Sequence, residues 1–141
     1  ARVCRSLAPG GLLMVIEMDG LPTFLPDGAP GSRIEAHACE TLLAAGWNSH
    51  PDWSRTLDLA GFDVIARRAL NPDTRAATAE VARYAERHLG DVREALAATW
   101  PSDELTAFDG LLEPGHPESV ARRDDLVARN PRTAWAARRP G

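Results

Sequence analysis

Residues 12–18 read Leu12-Leu13-Met14-Val15-Ile16-Glu17-Met18, a nearly unbroken apolar run between Gly11 and Gly20. A short run without polar alternation is the pattern of a strand covered on both faces, so it predicts a central strand of a parallel sheet. Upstream, Val3, Cys4 and Leu7 recur at helical spacing and stop at Ala8-Pro9-Gly10-Gly11. Proline cannot continue the helix there, and glycine permits a left-handed backbone. Downstream, Gly20, Pro22, Pro26, Gly28, Pro30 and Gly31 exclude regular structure over residues 19–32 and mark a long loop, a kind of segment that often carries function.

Further along, Ile34, Ala38, Leu42 and Ala45 share a helical face that Gly46 ends. After a turn at residues 48–51, Trp53, Leu57 and Ala60 form a second short helical face closing at Gly61, and Phe62-Asp63-Val64-Ile65-Ala66 reads as a strand. This alternation is that of an α/β layered domain. From Asp73 the pattern turns helical. Val81, Tyr84, Ala85 and His88 share one face, Gly90 is a candidate break, and Val92, Leu96 and Thr99 continue to Trp100. Ser102 is placed to cap a further helix, with Asp103 and Glu104 in its first turn and Leu105, Phe108, Leu111 and Leu112 as its apolar face. Residues 133–138 (TAWAAR) predict a last strand. The expected organisation is one domain, with core strands and helices over 1–70, a helical insertion over 71–125 and the last strand within 126–141.

Of the residues, 44% are apolar and 26% charged, and the formal charge is −4. That is the composition of a globular chain, with nothing that favours nucleic acid. No run is long enough for a membrane helix and no signal pattern opens the chain, so a cytoplasmic location is expected. All basic residues are Arg, which reads as coding bias. Cys4 and Cys39 lack metal-ligand or disulfide spacing and are expected as buried thiols. No histidine pair has the i, i+4 spacing of a helical metal site, so no metal is expected.

Two corners carry a family likeness. Arg5-Ser6-Leu7-Ala8-Pro9-Gly10-Gly11-Leu12-Leu13 resembles the L-x-P-G-G turn before the fifth strand of class I S-adenosylmethionine-dependent methyltransferases. Leu59-Ala60-Gly61-Phe62-Asp63-Val64 resembles the corner before the sixth, and residues 133–140 are similar to the family's last, antiparallel strand. The resemblance implies the C-terminal half of a doubly wound, Rossmann-like sheet, with residues 12–18 and 62–68 parallel and the last strand antiparallel between them. It also implies methyl transfer to a small-molecule acceptor, with S-adenosylmethionine as cofactor. The family's acidic glycine-rich cofactor loop would lie upstream of Ala1. Gly10-Gly11 precedes a strand instead of joining strand to helix, and so cannot cradle a cofactor. The chain, which opens without Met inside a helical pattern, is therefore expected to be inactive alone. Its expected partner is the N-terminal half of the same domain or a second copy.

Ligands of open α/β sheets lie beyond the carboxyl ends of the strands, so the end of the 12–18 run is where an acceptor should sit. Glu17 and Asp19 are the acids delivered there, on one side of the pleat. Asp19 is the candidate catalytic residue, able to take a proton or orient the acceptor, with Glu17 and His37 as further acceptor-binding residues. The bland alternative is that Glu17 pairs with an Arg, Asp19 starts a turn and His37 faces solvent. The helical insertion is expected to pack over the same end of the sheet and cover the acceptor. A nicotinamide-dependent reductase with the same element order and a non-catalytic interaction fragment are the rival readings.

Overall fold

The computed structural model describes residues 2–71, 73–74 and 78–141. The elements in chain order are α1 (Arg2–Ser6), β1 (Leu12–Met18), α2 (Ser32–Ala44), α3 (Trp53–Leu59), β2 (Asp63–Leu70), β3 (Asp73–Thr74), α4 (Thr78–Leu96), α5 (Ser102–Leu112), a 3-10 turn (Val120–Arg122), β4 (Ala128–Arg129) and β5 (Arg132–Arg138). The chain is mixed α/β and divides into two compact units. The first comprises residues 1–19, 48–71 and 131–141, and the second residues 20–47 and 72–130. Residues 20–47, expected with the core strands, thus group with the helical segment.

The first unit is built on a three-stranded sheet in the order β1-β5-β2. β5 runs antiparallel to both neighbours, with Val15 opposite Trp135 and Arg67 opposite Trp135 on the other side, so β1 and β2 point the same way. This is the strand arrangement expected from the two corners and the last strand. Leu57, Phe62, Trp135 and Ala137 form a core on one face, joined by Leu7, Leu13, Val15 and Trp53. On the other face Leu12, Met14 and Ile16 are 61%, 65% and 48% exposed. β1 was expected as a central strand of a parallel sheet, covered on both sides; among the described residues it pairs with β5 alone, antiparallel. Alternation along the strand sends every second side chain to a face that no described element buries.

Both glycine corners are backbone devices. α3 ends in a Schellman motif in which Gly61, at φ +86°, donates its N–H to Asp58 O at 3.0 Å and Phe62 donates to Leu57 O at 3.0 Å. At the first corner a Cβ on Gly11 would meet Ala8 O at 2.8 Å. The end of β5 stitches this turn closed: Gly10 N–H donates to Arg139 O at 2.9 Å, Arg139 N–H to Gly11 O at 2.8 Å, and the Arg139 guanidinium to Leu7 O.

The second unit is a helical core. Val81, Ala85, Leu89, Val92 and Leu96 make a buried stripe along α4, packed with Phe24, Leu42, Phe108, Leu111 and Val120. Gly90 does not break α4. One interior glycine costs about 1 kcal/mol against alanine, less than the burial of the stripe around it provides. Tyr84 and Thr99, expected on the apolar face, are exposed. The cap of α5 also falls one residue earlier than expected: Pro101 is the N-cap and Ser102 already the first helical residue, with no side-chain cap bond. Cys39 is buried, and the Cys4 side chain lies outside the described residues.

Candidate functional site

The carboxyl end of β1 gathers side chains from all three segments of the first unit. Asp19 is anchored by its own N–H, which donates to Pro131 O at 2.8 Å. Its Oδ2 accepts from the Thr133 hydroxyl at 2.8 Å. Thr133 stands opposite Glu17 in the β1–β5 register, so Glu17, Asp19 and Thr133 share the face that also holds Trp135. The alternation expected for Glu17 and Asp19 is what places them there.

The segment before α3 supplies the remaining side. Asn48 sits at φ 55°, a left-handed conformation that asparagine tolerates, and its Nδ2 donates to Met18 O at 2.8 Å. Asp52 caps α3 by accepting from Ser54 N–H at 3.0 Å, and the Ser54 hydroxyl accepts from Trp135 Nε1 at 3.2 Å. His50, held between these two fixed points, brings Nε2 to 3.9 Å from Asp19 Oδ1 and lays its ring edge-on to Trp135, 5.9 Å between centroids. Arg67 lies over Trp135 at 5.6 Å from the ring centre. The result is an acid, an imidazole and a hydroxyl on a rigid sheet end. The sequence reading reached Asp19 and Glu17 but not His50 or Thr133. The one local signal for His50 was its place in the turn leading into a capped helix.

His37 belongs to the second unit. Its ring stacks on Trp100 at 5.1 Å and its Nε2 lies 3.4 Å from Glu104 on α5. Trp47, also in the second unit, is exposed, and Trp53 packs against the first unit's core. Two further features of the second unit carry polar chemistry. A cleft of about 500 Å³ is lined by the start of α2, Thr106, His116 and Glu118. Beside it, Glu35 is 2% exposed and accepts backbone N–H bonds from Phe24 at 2.8 Å and Leu25 at 3.1 Å. Burial pushes its carboxyl up, partly offset by those bonds and by Arg129. Among the described residues no group of three or more His, Cys, Asp or Glu is placed to hold a metal, and no helix is long and apolar enough to cross a membrane.

No family model matches the chain, and neither does any curated protein. Among solved structures it is weakly similar to a methyltransferase. That structure is phosphoethanolamine N-methyltransferase 2 of Haemonchus contortus in complex with phosphomonomethylethanolamine and S-adenosylhomocysteine, at 18% identity and a TM-score of 0.31. The likeness covers 99% of this chain and 29% of that one, so the chain spans under a third of its length.

Proposed function

We propose that this chain is the C-terminal portion of a class I S-adenosylmethionine-dependent methyltransferase domain, acting on a small-molecule acceptor bound at the carboxyl end of β1. One observation carries the reading: β5 inserts antiparallel between β1 and β2, and these strands are entered through the Pro9-Gly10-Gly11 turn and the Ala60-Gly61-Phe62 corner. In this reading Asp19 orients the acceptor and Glu17 adds negative charge on the same face.

The cofactor is a different matter. The Gly10-Gly11 turn does not fit it: Gly10 N–H is taken by Arg139 O and Gly11 N–H by Ala8 O. A turn whose N–H groups are already used has none left to hold a ligand's carboxylate or hydroxyl oxygens. The proposal therefore assigns S-adenosylmethionine to the N-terminal half of the domain, and this chain alone is inactive.

Isothermal titration of S-adenosylmethionine tests both halves of the proposal. It compares the 141-residue chain with one carrying roughly a hundred further residues of upstream coding sequence, a domain-scale increment. Binding by the longer polypeptide and not the shorter is expected. Micromolar binding to the short chain would place the cofactor elsewhere, and no binding to the long one would remove the methyltransferase reading.

A further inference from the structure

At the end of β1 the Asp19 carboxylate and the His50 ring, when neutral, face each other as two hydrogen-bond acceptors, and no donor among the described residues lies between them. Asp19 Oδ2 accepts from the Thr133 hydroxyl at 2.8 Å, and Oδ1 accepts from none of the described residues. His50 Nδ1 lies 3.0 Å from the Pro51 carbonyl oxygen. A carbonyl only accepts, so that ring nitrogen carries the proton and the neutral ring presents Nε2 as a bare lone pair. Nε2 and Asp19 Oδ1 are 3.9 Å apart, too far for a hydrogen bond. A single atom about 2.8 Å from each fits between them, off their line, provided it donates two hydrogens. A hydroxyl has one, and a quaternary ammonium has none. Water has two, and the ammonium form of a primary or secondary amine has two or three together with a positive charge that the Asp19 carboxylate attracts.

The surroundings suit such a ligand. The His50 and Asp19 side chains are 25% and 36% exposed, so a ligand reaches them from solvent. Glu17 adds a second carboxylate on the same face of the sheet, and Arg67 is engaged over the Trp135 ring. Asn48, Asp52 and Trp135 fix the turn that carries His50, so the gap is a property of the fold.

We infer that Asp19 Oδ1 and His50 Nε2 together clamp the ammonium group of a small primary or secondary amine, and that His50 takes its proton. The inference deepens the acceptor reading above and takes its purpose from it. An ammonium nitrogen has no electron pair with which to attack. When one N–H bond breaks, the pair stays on the ligand nitrogen and the proton forms Nε2–H on His50. The resulting imidazolium then faces the Asp19 carboxylate. His50 is the proton acceptor, Asp19 holds the ligand, and Thr133 and the Pro51 carbonyl are positioning groups.

The test is a nuclear magnetic resonance titration of the full chain, labelled with nitrogen-15. In mildly alkaline solution His50 should show the tautomer with Nδ1 protonated; an Nε2–H tautomer would overturn the argument outright. Methylammonium chloride should then shift the His50 ring nitrogens saturably in the millimolar range, the most that two non-hydrogen atoms can provide. Tetramethylammonium chloride at equal ionic strength should not. An equal response to both salts, or none to methylammonium, would mean that no amine is clamped. D19N and H50Q should each abolish the response, while the tautomer and the salt comparison need no variant. Since no cofactor enters the titration, an amine response beside a failed S-adenosylmethionine titration would sink the methyltransferase reading alone, and the reverse result this inference alone.

Discussion

Removing the Glu35 carboxylate should destabilise the second unit more than any surface change, and the size follows from its two bonds. The oxygens accept from Phe24 and Leu25 N–H, on residues 0% and 2% exposed, so neither donor can turn to water instead. A buried donor left unmade costs about 1–3 kcal/mol. Losing two would cost about 2–6 kcal/mol, and relief of the desolvated charge returns part of it, so Glu35→Ala should lose about 2–4 kcal/mol. Glu35→Gln should lose less, because its amide keeps one acceptor and sets an NH₂ against the other N–H. Urea unfolding followed by tryptophan fluorescence measures both, with Trp100 buried in the same core as the reporter. The pH dependence carries a sign. Because burial raises the folded carboxyl above its ordinary 4.5, the folded chain holds the extra proton between that value and the raised one. Wild-type stability should therefore fall as pH rises through that window, a slope absent from Glu35→Gln. If Glu35→Ala changed stability by less than about 0.5 kcal/mol, the range of an ordinary surface substitution, the two bonds would not be holding the loop.

Three further outcomes are expected. His88 Nε2 is buried with no hydrogen-bond partner among the described residues, and burial holds the ring below its ordinary 6.5; stability should be full above 6.5 and fall as pH drops below it, a slope that His88→Phe removes in melts at pH 5–7. Gly31→Ala puts a Cβ 2.4 Å from Leu111 Cδ2 at φ +82°, and should cost about 2–4 kcal/mol in urea unfolding from overpacking plus left-handed strain; a loss under 0.5 kcal/mol would deny the close approach of α2 to α5. Burial, then Glu35 and Glu40, raise the Cys39 thiol from 9.0 to about 11, so iodoacetamide at pH 8 should meet about a hundredfold less thiolate than in a free thiol, and alkylation as fast as glutathione's would show the residue open.

What could be read from the sequence was what local physics decides. Gly10 and Gly61 sit at positive φ where a helix must give way to a strand, and only glycine takes that conformation cheaply, so both corners were legible as strings. The period of α4 was legible for the same reason, although its actual stripe runs through Leu89 and leaves Tyr84 outside. Glu35 was not, because an acid in a helix's first turn is ordinarily a dipole partner facing water. Only the return of residues 24 and 25 over α2 makes it a buried acceptor.

The apolar run that decided the fold also records a need that the described residues do not meet. Leu13 and Val15 have the core of Trp135 and Leu57 to pack against, whereas Leu12, Met14 and Ile16, equally apolar, face outward from a strand paired on one edge. Solvent does not call for such a row, and a covering layer does. The candidate site lies on the opposite, covered face, and its parts come from distant stretches of chain: Asp19 and Thr133 are 114 residues apart and meet only because β5 returns to lie against β1. Spacing rules see residues that are neighbours along a helix or strand, so they found the two acids of one strand and missed the histidine and threonine that the topology sets beside them. The acid was legible because the strand that carries it is local, and its chemistry was not, because an isolated aspartate only starts a turn. Opposed to a histidine whose other nitrogen is tied to a carbonyl, it becomes half of a gap with a defined requirement for a donor.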